Sequence, residues 1–317
     1  VRFVRPRLTP DMKALVRRAV PAAIANSATQ INIFVSGILA SQVAGARVWL
    51  NVADRLYQLP MSLVGVAIGV ALLPRLSQSL RRGDGADAKL VMDQGLVFGL
   101  ALSLPAAAAL MAMPVYLIDG LFTRGAFVFA DAAAAGALLF HYGWGTPAFV
   151  LQRILQPAFF ARDDTRTPMR FALISVGVNI VAGVALFFVI GVPGIAMATS
   201  LAAWIAVIQM LLALWRRGDY RPSPPVISKI VRVAAASLVM GAGLAFAALN
   251  RPALEAVITG LDLPLIGAKE IGILTLSVAG MGVYGLLVLA FGGVTRAELR
   301  AAMTRRGGTP AAPVDLG

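Results

Sequence analysis

Eight stretches of this chain are predominantly apolar for about 20 residues or more, the length one α-helix needs to cross the ~30 Å hydrocarbon layer of a bilayer. They lie at about 21–42, 48–74, 90–118, 132–160, 169–190, 193–215, 228–249 and 270–292. Between them stand turn-like separators: "RRGDGAD" at 81–87, "ARDDTRTP" at 161–168, "GVPG" at 191–194 and "RRGDYRPSPP" at 216–225. With 59% hydrophobic residues, 14% charged and a mean hydropathy of +0.81, the chain has more apolar surface than a soluble domain of 317 residues can bury. The sequence therefore predicts an all-α integral membrane protein of about eight transmembrane helices, with no linker dividing it into separate domains.

The 28 lysines and arginines against 15 acidic residues give a net charge of +13. In a soluble chain that excess suggests nucleic acid, but its distribution says otherwise. All but six of the basic residues fall in alternate loops: 2–18, 75–89, 162–170, 216–232 and 296–306. Only Arg47, Arg124, Arg251 and Lys269 occupy the loops between. Cytoplasmic loops carry such an excess, so both ends of this chain are expected in the cytoplasm. No charged segment followed by a short apolar core and cleavage site opens the chain, so no signal peptide is expected. The charge then reads as an orientation signal and an attraction to anionic lipids, and nucleic acid is not an expected partner. The chain has no cysteine and one histidine, His141, which argues against disulfides, thiolate metal sites and a histidine-based metal centre; no cofactor is expected.

The two remaining cations, Arg55 and Arg153, lie inside predicted spans. Arg153 is nine positions before Arg162, about 13 Å from the cytoplasmic end at ~1.5 Å per residue, and can either snorkel toward that interface or face a cavity. Arg55 belongs to "VWLNVADRLYQLP", residues 48–60. Asn51, Arg55, Gln58, Ser62, Gly65 and Gly69 follow alternating steps of four and three and fall on one helical stripe. An intramembrane charge costs several kcal/mol unless it meets water or a partner. The stripe is therefore expected to line a polar cavity; the competing reading is a structural Asp54–Arg55 pair. Pro60 removes a backbone donor, predicting a kink.

The preceding span adds Asn26, Thr29, Gln30, Asn32 and Ser36, of which Asn26, Thr29 and Ser36 share a face. Alone these read as interhelical hydrogen-bond partners; beside Arg55 they would form a second cavity wall. A guanidinium binds phosphate bidentately and stays charged at any relevant pH, so a phosphate-bearing, bulky polar guest suits such a cavity.

"VADRLYQLPMSLVGVAIGVALLPRLSQSL" (52–80) resembles the signature segment of the MurJ/MviN lipid II flippase family of the MOP exporter superfamily. "PAFFARDDTRTPMR" (157–170) and "RRAVPAAIANSATQINIFVSGILA" (17–40) are similar to further family segments. The resemblance covers about residues 10–220. It implies a fourteen-helix flippase of which this chain is helices seven to fourteen, with the N-lobe expected to precede it. The two lobes would enclose a cationic cavity and work by alternating access. Lipid II, an undecaprenyl-diphosphate-linked disaccharide pentapeptide, would be the substrate, and the last two helices would hold its tail in a groove near Leu244 and Leu287. Arg55 and Asp54 fall on the family's cavity arginine and aspartate, while Gln58 stands where some members carry glutamate. Some members resemble sodium-coupled transporters. Asn179 and Thr199 offer oxygen ligands here, but with no carboxylate between Asp11 and Asp54 or between Asp164 and Asp219 no such sodium site is expected.

The cavity residues expected on this basis are Arg55, Asp54, Asn51, Gln58, Ser62, Asn26 and Thr29, with Arg153 as a further candidate. The expected division is a basic interfacial segment at 1–20, a six-helix bundle at 21–216, two additional helices at 217–293, and a cytoplasmic basic helix and tail at 294–317, where Thr295 and Glu298 form a capping box. Another exporter of the superfamily, for drugs or a polysaccharide-lipid, is the nearest alternative. A membrane polyprenyl-phosphate transferase is weaker, because the Asp163–Asp164 pair has no second acidic cluster facing the same side.

Overall fold

The computed structural model describes residues 30–67, 72–253, 255 and 268–292. The segments expected at 1–20 and 294–317 lie outside these, as do Asn26, Thr29 and Gly69. The described chain folds into α1 (Gln30–Ser41), α2 (Ala46–Ala67), α3 (Leu73–Arg81), α4 (Gly85–Ala112), α5 (Pro114–Phe122), α6 (Phe129–Phe160), α7 (Arg166–Ile190), α8 (Pro193–Arg216), α9 (Pro224–Leu249) and α10 (Ala268–Ala290). Among the described residues there is no strand. By length and composition α4, α7, α8, α9 and α10 suffice to cross a membrane; the chain is a multi-pass membrane protein.

Local chemistry places the helix ends. Asp84 caps α4, accepting from the Asp87 backbone N–H at 2.9 Å, directly after Gly83 at φ +70°. Gly191 at φ +74° turns the chain between α7 and α8, and Pro193 opens α8 where no donor is needed. The span expected at 90–118 is instead two helices. Pro114 disfavours helical geometry at Met113, which sits at φ −137°, ψ 47° and ends α4. In α2, by contrast, the helix continues through Pro60.

The helices pack in two linked cores. One joins the end of α1, the start of α2, α5, the first half of α6 and the start of α8 around Leu39, Ala53, Ile118, Leu138, Tyr142 and Ile195. The other joins α3, the start of α4, the second half of α6 and the end of α8 around Leu76, Val91, Ile154, Phe159, Met210 and Leu214. Between helices in lipid there is little hydrophobic driving force, so close approach and dispersion carry the packing. Gly99 accordingly receives Ile154, and Gly145 receives Ser200, whose hydroxyl donates to the His141 carbonyl at 2.7 Å. Outward faces of α7, α9 and α10 present Phe188, Leu238, Phe246 and Leu286, each about 70% exposed, which suits lipid rather than water.

The loops carrying most of the described basic residues meet at one end of the body. Tyr220 and Ser223 of the α8–α9 turn donate to Asp93 of α4, and Arg162 pairs with Asp219 at 3.1 Å. At the other end Arg251 and Lys269 converge on Asp119 of α5.

Candidate functional site

Helix α2 presents one face to the core and another away from it. Val52, Ala53 and Leu56 are buried, whereas Asn51, Arg55, Gln58 and Ser62 are exposed, so the polar stripe read from the sequence exists as a surface. At 100° per residue that stripe spans two directions. Asn51, Asp54 and Gln58 turn toward α1, α6 and α8 and line a cleft of about 700 Å³. Arg55 is not among the lining residues.

The cleft is walled by polar residues, Asn32 and Ser36 of α1, Arg47, Asn51, Asp54, Tyr57 and Gln58 of α2, Tyr142 of α6 and Thr199 of α8, set among the apolar Ile33, Phe34, Ile38, Ala40, Leu50 and Ile195 and the backbone of Gly37. Its floor is aromatic: Tyr57 stacks on Tyr142 with ring centroids 4.6 Å apart and lies 5.2 Å from Phe149. The Gln58 amide donates to the Asp54 carboxylate, and the Tyr57 hydroxyl lies beside it. Where a glutamate would set a second negative charge against Asp54, the glutamine supplies a donor. Arg47 gives one N–H to the Gly37 carbonyl at 3.3 Å. Among the described residues no salt bridge includes Asp54, Arg55 or Arg47, so the structural Asp54–Arg55 pair considered from the sequence is not formed.

The other expected residues fall as follows. Ser62 returns its hydroxyl to the Gln58 carbonyl at 2.8 Å, an i−4 bond that occupies its donor within the helix. Arg153 extends from α6 across α2, where its guanidinium fills the space a side chain at Gly65 would need. It is exposed, and its charge lies near Tyr57. Asn179 donates to Thr199 at 3.3 Å and Thr199 in turn to the Ile195 carbonyl, an interhelical contact between α7 and α8. Leu244 is only 5% exposed and packs on Gly280 of α10. It packs between the two helices and is buried there, not exposed as a groove wall. Leu287 is half-buried on α10. Asn26 and Thr29 lie outside the described residues.

Sequence reasoning missed Arg47, Tyr57 and Tyr142. Arg47 was counted with the loops, yet it belongs to the first turn of α2. Tyr57 was signalled by its spacing of three from Asp54.

The cleft sets amides, hydroxyls and charges among apolar residues of a helical membrane protein, and its fold is that of known membrane proteins. The chain superposes on an outward-facing multidrug-resistance MATE family transporter of the MOP superfamily with a TM-score of 0.55 at 18% identity, covering 92% of this chain and 67% of that one. On a structure described as lipid II flippase MurJ in an inward closed conformation the TM-score is 0.67 at 22% identity, covering 89% of this chain and 55% of that one. Residues 2–258 match the family described as lipid II flippase MurJ, and the chain belongs to that family. It is 38% identical over 308 residues to a probable lipid II flippase MurJ of Rhizobium meliloti, covering 96% of this chain and 56% of the relative. A Rhizobium tropici protein of the same description is 37% identical, again covering 96% and 56%. The chain thus spans little more than half the length of these relatives.

Proposed function

We propose that this chain forms one wall of the cavity of a lipid II flippase, a transporter rather than an enzyme, which moves its substrate from the cytoplasmic to the periplasmic leaflet of the bacterial inner membrane by alternating access. The observation that carries the reading is the Arg55 guanidinium, exposed on α2 beside the polar cleft and without an ionic partner among the described residues. Facing lipid, such a charge would cost several kcal/mol; facing a wet cavity it is free to grip a diphosphate. Arg153, on the neighbouring helix, adds a second positive charge to that wall. Asn51, Asp54, Gln58 and Ser62 continue it, and Asn26 and Thr29, outside the described residues, are assigned to the same cavity by this reading.

The partner across the cavity is the N-lobe of the same protein. Residues 21–216 form the lobe and 217–293 add two helices beside it. The lipid tail lies along the outer seam of α9 and α10 near Leu287, leaving Leu244 as packing within. The basic end faces the cytoplasm and the anionic surface of that leaflet. Single cysteines at the exposed positions 83 and 190 of this cysteine-free chain should label from opposite sides; labelling from one side alone would overturn the topology.

The decisive experiment replaces Arg55 in the full-length protein and measures membrane abundance beside lipid II export in flippase-depleted cells. Arg55→Lys keeps the charge but loses the two-pronged geometry and should retain part of the activity. Arg55→Ala should abolish export at unchanged abundance, since no buried partner is stranded. A stable Arg55→Ala protein exporting at the wild-type level would end the proposal.

A further inference from the structure

The cleft beside Arg55 has a charge arrangement that a diphosphate does not explain. Its carboxylate, Asp54, and its guanidinium, Arg47, stand seven residues apart on α2, two turns or about 10 Å along the axis. That is too far for them to satisfy each other by contact. Among the described residues Asp54 receives only neutral donors, from Gln58 and Tyr57. Arg47 spends one of its five N–H groups on a carbonyl. A phosphate placed here would face the Asp54 carboxylate at close range. A guest bearing an ammonium and a carboxylate about 10 Å apart would instead meet both charges.

The position of the cleft points the same way. It is built from α1, the first turns of α2, the first turns of α8 and Tyr142 of α6; because α2 starts at the end of the body opposite the basic loops, the cleft lies toward that end. A head group entering from the basic end, tethered there by its lipid, reaches this place with the part farthest from the tether. We propose that the cleft seats the peptide end of the lipid II head group. In that pose Asp54 meets the free side-chain amine of the stem and Arg47 its terminal carboxylate, while Asn32 and Ser36 face the peptide backbone. A volume of about 700 Å³ is ample for such a segment. Asn32 and Ser36 are half-buried on the cleft wall and make no side-chain hydrogen bond among the described residues, which leaves them free to meet a peptide backbone.

This inference rests on the flippase reading, and its test separates the two. The full-length protein in nanodiscs is titrated with lipid II, with lipid II acetylated at the stem amine, and with lipid II amidated at the terminal carboxylate. Each modification should weaken binding at least tenfold. Asp54→Asn should bind the free and acetylated forms alike, and Arg47→Gln the acid and amide alike. Because the first comparison alters only the ligand, it stands even if a variant misfolds. Equal affinity of the wild-type protein for all three forms would overturn the peptide seat and leave the flippase reading intact. Failure of all three to bind would overturn both.

Discussion

Charges at the two ends of the helical body and charges on α2 are treated in opposite ways. At the basic end Asp93 accepts from Tyr220 and Ser223, Arg162 meets Asp219, and Arg217 meets both Asp164 and Thr167. At the other end Asp119, with no side-chain exposure, accepts from Arg251 and Lys269, while Arg251 also lies 4.7 Å over the Tyr116 ring. Along α2, Arg47, Asp54 and Arg55 have no ionic partner among the described residues. Paired charges tie together segments distant in sequence: α5 to the α9–α10 connection, and α4 and the α6–α7 turn to the α8–α9 turn. Unpaired ones tie nothing, and their desolvation cost is tolerable only where water or a guest reaches them. Removing a charge should therefore separate the classes: stability is lost in the first and retained in the second.

The largest stability effect is expected at Asp119. Asp119→Ala leaves Arg251 and Lys269 converging on a void; with Arg251 only 19% exposed, the loss should be about 3 kcal/mol. Denaturant unfolding of the purified protein in detergent measures it. A loss below about 1 kcal/mol would erase the distinction between the ends and α2. Asp93→Ala comes next. It strips two hydroxyls of a charged acceptor at a site 9% exposed, and should cost about 2 kcal/mol. The expected signature is proteolytic opening of the α8–α9 turn before the rest of the body.

A smaller effect is expected at Asp164, in the turn after α6. Partial burial opposes its ionisation, but hydrogen bonds from Thr167 and Arg217 prevail and hold its carboxyl down at about 2, from an ordinary 3.8. A depressed carboxylate contributes stability that is complete above its unfolded value and lost as the proton returns. The wild-type advantage over Asp164→Asn should thus be constant above about pH 4 and fade as pH falls toward 2. Melting both proteins across that range checks the sign, and an advantage that grows with acid would contradict the pairing.

Much of this body was legible in the sequence because lipid imposes a simple rule: each crossing helix must be long and apolar, and each turn must break it. The stripe on α2 was legible for the same reason, since Asn51, Arg55, Gln58 and Ser62 violate the rule at regular spacing. The break at Met113 was obscured because "ALMAMPVYLI" remains apolar across it; hydropathy does not register a backbone turn. The pairing of Asp119 with Arg251 and Lys269 was hidden by separations of 132 and 150 residues. The cleft was half legible. Its polar residues stood out, but Tyr57 and Tyr142 carry no mark in the sequence that separates them from the apolar residues around them, and Arg47 reads as a loop charge, until α6 and α2 are brought together.

The smallest effect on stability, and the sharpest probe of Arg153, is expected from Gly65→Ala. Alanine favours a helix over glycine by about 1 kcal/mol, which acts in favour of α2. Against this, the new methyl would occupy the place of the Arg153 guanidinium. That group is the free end of a long, exposed side chain, so it can swing aside at little cost. Abundance and unfolding midpoint should accordingly stay at or slightly above wild type. Export reports something else. If Arg153 shares the cavity with Arg55, displacing its charge from the α2 surface should lower lipid II export several-fold in a protein that is otherwise intact. Full export from Gly65→Ala would mean that Arg153 only reaches toward the membrane surface, leaving Arg55 as the cation of this wall.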